Sequence, residues 1–598
     1  MHPSAMRFAT CALVALLLVA LPPSRADEIG DNDVRVSDLG PNGDPAYDAR
    51  QAAVAYNPSG GSYLVVWEGD DSAFGLSDEE LEIFGQLLSA VGGELGNNDV
   101  RISFAGGTGD PDFDATYPAV ACNTADDEYL VVWSQDTDAG DLVDEEFEIW
   151  GQLVDSFLFP IGGNFRISTM GPDGSGLYDA LQPAVVYNPD ENAYLVVWSG
   201  DDDSGGLVND EFEIWAQRID ASGTLIGGNL RISDLGGTGD FHFVAAVPDV
   251  VYNTQELVYL IVWGGDDNVG GLVDGEYEVF GQLMDADGAG VGPNDFRISD
   301  MGGVGSSTYG GSVPAAAYNP NANEYLVVWQ GDDNVGGLVD NEFEVFSQRM
   351  AADLTGLGPN DHRLSDVGGV GDAAYDVLSP PDVAFNAIDD EYLVVWAADD
   401  PVDGIVDNER EIFAQRLTWD IQGVGPNDER ISDVGGLGDT AFLADDPVVA
   451  AHGALGDFLV AWTGDDDTGT LVDDEGEAFI QRLSGSYVFV DDFESGDADR
   501  WSDLDVLLLT TERDRYAADT SWLRSFGDFW LAYAEPTDLG DPEWYAVYEG
   551  GLKLDVVMIQ VDEPARELDA LMQPLPYQGV FGRGVRVLFD RNGAPRFL

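Results

Sequence analysis

An apolar segment ending in tryptophan recurs seven times along this chain. It reads YLVVW up to Trp67, Trp133 and Trp198, YLIVW up to Trp263, YLVVW up to Trp329 and Trp396, and FLVAW up to Trp462. The intervals are 66, 65, 65, 66, 67 and 66 residues. So fixed a period marks a repeat architecture, in which each unit leaves an apolar face that only a neighbour can cover. Each unit offers four strand candidates. In the third unit these are PAVVYN (183–188), YLVVW, the alternating EFEIWAQR (211–218) with Phe212, Ile214 and Ala216 on one face, and a short RIS segment at Arg231. Gly, Asn, Asp and Pro clusters separate them, and no stretch sustains a helical period. Seven units of four antiparallel strands predict an all-β fold, a seven-bladed β-propeller with four-stranded blades.

The order of the RIS segments predicts how the ring closes. They begin at Arg35, Arg101, Arg166, Arg231, Arg297, Arg363 and Arg430. The first precedes every other strand candidate, and none follows Arg482. A strand near 33–36 is therefore expected to complete the last blade, which ties the ends of the ring together and removes an exposed edge. The propeller is placed at 27–483. Its repeat resembles the YLVVW…EIFGQR-type repeats of secreted bacterial propeller proteins over residues 33–483.

The strands alternate with acidic loops. In GDDDSGGLVNDEFEIWAQR (200–218), five carboxylates, Asp201, Asp202, Asp203, Asp210 and Glu211, fall within eleven residues. Over the whole chain 112 Asp and Glu face 25 Lys and Arg, a formal net charge of −87. This balance argues against nucleic-acid binding and against docking on anionic lipid. The content of 44% hydrophobic residues, with 14 Trp and 28 Phe, argues for a folded protein rather than an acidic disordered one. In a propeller, the loops between second and third strands and the connections between blades emerge on one face. Carboxylates crowded there repel one another unless something neutralises them. Calcium, which takes six to eight oxygen ligands, is one expectation. Its candidate ligands are Asp201, Asp202 and Asp210, then Asp332, Asp333 and Asp340, then Asp465, Asp466 and Asp473. Plain solvation of the loops is the other. The repeated tryptophan is expected to pack between blades, the repeated arginine to meet a carboxylate, and the Tyr-Asn pairs (Tyr56-Asn57, Tyr187-Asn188, Tyr252-Asn253) to end strands with a side chain capping a turn.

The N-terminus, MHPSAMRFATCALVALLLVALPPSRADE, reads as a signal peptide over 1–26. Arg7 precedes an apolar run from Phe8 to Leu21, and Ser24-Arg25-Ala26 forms a small-x-Ala cleavage site. The expectation is a secreted, periplasmic or cell-surface protein with no membrane span after signal removal. Removing the signal takes Cys11 and leaves Cys122 alone, so no intrachain disulfide is expected.

The last hundred residues differ. From 27 to 498 the chain holds 13 Arg, no Lys and 94 acidic residues; from 499 onward it holds 10 basic and 18 acidic residues. An acidic linker is placed at 484–502, including DDFESGDADRWS (491–502), which resembles a segment common near the C-termini of secreted bacterial proteins. Beyond it, Asp503 and Asp505 form an Asp-x-Asp pair entering an apolar strand, and Asp555 lies in a second apolar strand, GGLKLDVVMIQVD. Alternate strand residues share a face, and converging carboxylates can hold Mg²⁺ for attack on a nucleotide phosphate. The succession SDLDVLLLT, SWLRSFGDFWLAYAEPTDL, WYAVYEGGLKLDVVMI and GVRVLFDRNGAP resembles the streptomycin and aminoglycoside 6-adenylyltransferases. The resemblance implies a small α+β nucleotidyltransferase-like domain, truncated, over 503–598. It also implies Asp503 and Asp505 as metal ligands, Asp555 as the third carboxylate, acting as base or ligand, and Mg²⁺ with ATP as cofactors. Where family members carry Gly-Ser about a dozen residues before the first aspartate, this chain has Asp491 and Asp492.

Two functions follow as expectations. The first is an exported binding or surface-interaction scaffold, calcium-stabilised through its loops. Its acidic face would receive a protein, a carbohydrate or a cationic ligand. The second is adenylyl transfer by the C-terminal segment. A propeller hydrolase is the weakest reading, because His2, His242, His362 and His452 recur in no blade pattern and no nucleophile–base pair stands out.

Overall fold

The computed structural model describes residues 28–484, apart from 73–74, 402–403, 454–455 and 467–470, together with the backbone of four strands between 503 and 560. The signal-peptide reading over 1–26 and the linker over 485–502 lie outside the described residues. The chain divides into two compact units, 1–486 and 487–598.

The first unit is a seven-bladed β-propeller. Blade 3 shows the plan: Ala180–Asn188, Ala193–Asp201, Phe212–Asp220 and Leu225–Arg231, hydrogen-bonded in that order. Blades 1, 2, 4, 5 and 6 repeat it from first strands that begin at Ala49, Ala115, Ala245, Gly310 and Asp382. Blade 7 combines Ala444–Ala451, Phe458–Gly464 and Glu477–Leu483 with Glu28–Arg35, which pairs antiparallel with Glu28 opposite Leu483. First strands of neighbouring blades pack on one another, and that of blade 7 packs on that of blade 1, so they surround the axis.

The core lies between blades. One cluster joins Leu195, Val197, Ile214 and Ala216 of blade 3 to Tyr259, Ile261 and Trp263 of blade 4. The opposite side of the same third strand sends Trp215 and Ile219 toward blade 2. The expectation of a single apolar face on this strand is thus half of the picture, because a blade has a neighbour on each side. All seven repeated tryptophans are fully buried.

The fourth strand also differs from expectation. It does not begin at the RIS segment but ends at its arginine. Past Arg231 the Ile232 and Ser233 amides both turn onto the Ile214 carbonyl, at 2.7 and 3.4 Å, which leaves the Ser233 hydroxyl free to act as a side-chain partner. The connection then reaches Gly236, whose φ is +67°; a Cβ there would lie 2.4 Å from the Phe243 side chain. The Tyr-Asn pairs do cap turns: Asn188 Oδ1 accepts the Asp190 amide at 2.9 Å, while its Nδ2 donates to the Tyr259 hydroxyl of the next blade at 2.8 Å.

In the second unit the described strands form one sheet in the order Asp503–Thr510, Lys553–Gln560, Pro542–Tyr548 and Phe529–Pro536. The first pair is parallel and the others are antiparallel.

Two substitutions test the packing. Trp263→Ala is expected to destabilise the propeller by about 3–5 kcal/mol, in the range for large-to-small core changes, read by urea denaturation. Gly236→Ala is expected to destabilise it through both the left-handed backbone and the clash with Phe243.

Candidate functional sites in the acidic loops and the axial channel

Most of the acidic repeat turns inward. Each blade carries a Glu-x-Glu at the start of its third strand, and all fourteen glutamates are buried. In blade 3 the first, Glu211, accepts the Val208 amide at 2.8 Å and the Gly239 amide of the inter-blade connection at 2.7 Å. The second, Glu213, accepts the Ser233 hydroxyl and the Leu235 amide. In six blades a guanidinium joins the second glutamate, as Arg166 joins Glu148 and Arg430 joins Glu411. Burial dominates their titration all the same. It pushes Glu148 up to about 7 despite Arg166, Ser168 and the Met170 amide, and Glu213 up to about 8.

The aspartates expected to bind calcium divide into three kinds. Asp201, Asp332 and Asp465 are buried at the ends of second strands and hold loop amides: Asp332 takes Gly310 and Asn341 at 3.0 Å each, and Asp465 takes Leu443 at 2.7 Å and Asp474 at 2.9 Å. Asp201 takes the Asp210 amide at 2.6 Å. Asp202, Asp333 and Asp466, one residue on, reach the inter-blade connection and accept the Gly171, Gly302 and Gly435 amides. Asp210, Asp340 and Asp473 are exposed. Asp210 adopts φ +68°, a conformation that Asp and Asn tolerate. Among the described residues, no group of three or more His, Cys, Asp or Glu side chains is arranged to hold a metal ion.

The axial channel holds residues that the repeat pattern did not reveal. Each first strand except that of blade 6 carries a bulge near its loop-face end, where the register skips, as between Leu181 and Ala184. The bulge residue takes a left-handed φ, among them Gln51, Tyr117, Gln182 and Asp446. Bulges re-aim side chains, and here the blades stop being alike. Glu68 of blade 1, 6% exposed, accepts the Tyr117 amide of blade 2 at 2.6 Å. Asp249 accepts the Ala316 amide of the next blade at 2.8 Å, and Asp382 the Val449 amide at 2.7 Å. Burial, reinforced by Asp446, pushes Glu68 up to about 7, and Asp446 itself, beside Asp445, up to about 6. Asp382 is half-buried, and desolvation, reinforced by Asp249, pushes it up to about 7. Arg50 and Arg410 stand nearby, Arg410 in an ion pair with Asp445. Scanning each blade for departures from the consensus was the signal that would have found them.

At the opposite end of the first strands lies a cavity of about 460 Å³, lined by Tyr56, Tyr187, Tyr252 and Tyr318 with Cys122. Cys122 is a free thiol, and burial pushes it up to about 12. Tyr56 meets His452 at 3.2 Å between hydroxyl and Nε2.

In the second unit the strand register sets Asp505 opposite Asp555 and Asp503 opposite Lys553 on adjacent parallel strands. Three aspartate positions thus cluster at one end of two neighbouring strands. Asp491 and Asp492 lie outside the described residues.

Comparison with known proteins gives two results. Residues 483–594 match the family model for streptomycin adenylyltransferase. Similar solved structures include a Penicillium chrysogenum α-L-arabinanase complexed with arabinobiose (12% identity, 76% of this chain and 98% of that one, TM-score 0.37). Another is a PL25 ulvan lyase (9% identity, 77% and 95%, TM-score 0.40). No curated protein matches the chain. Among the described residues no helix is long and apolar enough to cross a membrane.

The buried glutamates make stability pH-dependent. Glu148 has a folded-state pKa of about 7 against an ordinary 4.5, so within that window the folded protein holds a proton that the unfolded chain has released. Its contribution is full below the window and lost as pH rises through it. The melting temperature is expected to fall between about pH 5 and pH 8 at constant ionic strength, and Glu148→Gln is expected to flatten that slope.

Proposed function

We propose that the propeller is a binding scaffold whose loop face and channel mouth receive a cationic partner. The observation that carries this reading is the break in symmetry at the axis. Glu68, Asp249, Asp382 and Asp446 stand where other blades carry uncharged residues such as Ser134, Ala184, Ala315 and Gln182, and Glu68 lies within electrostatic reach of Asp446 as Asp382 does of Asp249. Glu68, Asp249 and Asp382 each hold an amide of a neighbouring blade, a contact that Ser134 makes to Gln182 with a neutral hydroxyl, so the frame itself does not require the charge. Around this mouth the loops expose Asp203, Asp340 and Asp473, while valines such as Val208, Val339 and Val472 stay partly open, between 38% and 41% exposed. A mixed apolar and acidic rim around one buried and three half-buried carboxylates suits an amine or guanidinium on a chain with some apolar surface. Protein side chains and amino-bearing glycans both offer such groups. An exported location accords with the signal-peptide reading.

Surface plasmon resonance with an oligolysine peptide tests this. Binding is expected at low salt, with at least a tenfold loss of affinity in the Glu68→Gln/Asp446→Asn double variant. Binding that weakens with salt but ignores the double variant would assign it to diffuse surface charge and end the reading.

A second reading rests on the match over 483–594 and the register of Asp505 with Asp555. In it the second unit transfers an adenylyl group, Asp503 and Asp505 would hold Mg²⁺, and Asp555 acts as base or third ligand. Incubation with labelled ATP, Mg²⁺ and streptomycin is expected to yield adenylated product that is lost in Asp505→Ala. Equal product from both proteins refutes it.

A further inference from the structure

Five of the seven blade junctions share a feature that the other two lack. The third strand of every blade carries a buried glutamine whose Nε2 donates to the main-chain carbonyl of the next residue, as Gln217 does to Arg218 and Gln415 to Arg416. Its carboxamide therefore has the same orientation throughout. In blades 2 and 3 the remaining oxygen is satisfied: Asn164 Nδ2 donates to Gln152 Oε1 at 2.9 Å, and Asn229 Nδ2 to Gln217 Oε1 at 3.0 Å. The same Nδ2 groups also donate to a carbonyl of the preceding blade, Ile102 at 3.1 Å and Ile167 at 3.2 Å.

In the other five blades an aspartate takes the asparagine's place two residues before the arginine: Asp33, Asp99, Asp295, Asp361 and Asp428. These aspartates sit between the same blades. Asn229 Oδ1 accepts the Thr169 amide of the preceding connection, and Asp295, Asp361 and Asp428 accept the corresponding amides of Asp234, Asp300 and Asp366. The donor to the glutamine is gone. Gln86, Gln282, Gln348, Gln415 and Gln481 each have a buried Oε1 with no partner, and each residue is at most 3% exposed. In blade 6 the Asp428 Oδ1 is also buried without a partner. Each of the five aspartates keeps a donor of its own, since the asparagine before it (Asn32, Asn98, Asn294, Asn360 or Asn427) donates Nδ2 to its Oδ2, but no amide reaches the glutamine oxygen.

The surrounding charges change together with this residue. In blade 4 the junction gathers Asp295, Asp267, Asp234 and Glu213 around Arg231, four carboxylates against one guanidinium. Corresponding positions in blades 1, 5, 6 and 7 have the same composition. In blade 2 they are Asn164, Thr137, Phe104, Glu82 and Arg101, one carboxylate against one guanidinium; in blade 3 they are Asn229, Asp202, Thr169, Glu148 and Arg166, two against one. Carboxylates that only tolerated one another would not accumulate where the donor is missing. A glutamine oxygen, a main-chain carbonyl and carboxylates around one buried point form an all-oxygen environment for a hard cation, with ligand distances near 2.3–2.6 Å, shorter than the 2.9–3.2 Å at which the asparagine nitrogen sits.

We propose that these five junctions each bind one hard divalent cation of the calcium class. It is held by the fourth-strand aspartate, the third-strand glutamine Oε1 and the main-chain carbonyl after the arginine of the preceding blade, with the Asp267-type carboxylate close by. The ion takes the place that the asparagine amino group fills in blades 2 and 3, and it clamps one blade to the next. The site depends on carboxamide and carbonyl oxygens, so it is not a carboxylate triad. It lies between blades rather than in the exposed loops, and it is independent of the reading of the channel.

Isothermal titration of the EGTA-treated full chain with CaCl₂ in 150 mM KCl tests this, since the salt screens diffuse binding. About five equivalents are expected, together with a melting temperature that rises with calcium. Asp428→Asn rebuilds the arrangement of blade 3 and is expected to fold and to lose one equivalent. Asp295→Asn is expected to lose another, whereas Asp340→Asn, in an exposed loop, keeps all five. Absence of stoichiometric calcium overturns the proposal. So does a count unchanged in Asp428→Asn, which would place calcium in the loops. Failure to bind calcium combined with a melting temperature that rises on acidification, and loses part of that rise in Asp428→Asn, would assign a proton to the position instead.

Discussion

Everything in the propeller rests on buried carboxylates that find main-chain donors. Loops and inter-blade connections have backbone amides that no ladder satisfies, and burying them unpaired costs about 1–3 kcal/mol each. The seven Glu-x-Glu pairs and the second-strand aspartates supply acceptors to those amides, from Val208 and Gly239 on Glu211 to Gly310 and Asn341 on Asp332. The acidity of the repeat is in large part an internal scaffold. It ties each second-to-third-strand loop to the connection of the next blade, so the apolar clusters between blades meet in one register. Glu475 and Glu477 do the same for the closing junction, where they hold Gly43, Ser37 and Leu39 from the start of the chain.

This scaffold is expensive in charge. Burial pushes the second glutamate of every pair upward despite its amide and hydroxyl donors: Glu82, Glu148, Glu213, Glu278, Glu344, Glu411 and Glu477. All seven second-strand tryptophans and the aromatic rings paired with them sit in the same junctions, so apolar packing and charge desolvation are inseparable there. A frame repeated seven times also makes departures informative. Residues that follow the repeat build the ring; those that break it, at the axis and in blades 2 and 3, are where the blades acquire individual chemistry.

Much of the fold was legible because period and alternation are local properties. The repeated YLVVW and its intervals gave the number of blades, and the displaced first RIS segment gave the closing strand near Arg35. The fourth strand was misplaced past its arginine because Ile232 is a β-former, while the amides of Ile232 and Ser233 bend onto the Ile214 carbonyl. The loop aspartates were read as calcium ligands or as solvated, since the chain itself does not show that an amide nine residues on, or thirty residues back, will claim a carboxylate.

By itself the sequence determined a ring of seven four-stranded sheets and the matching character of its last hundred residues, because strand period, turn chemistry and motif order are written along the chain. Only the tertiary structure decided which acids are buried and which stay on the surface. It also decided that Glu68 comes near Asp446 and Asp382 near Asp249, and that a missing amide donor leaves five glutamine oxygens unsatisfied. The reason is distance. Each of these relations joins residues of different blades, and burial, unlike period, is a property of what packs against a side chain from elsewhere in the chain.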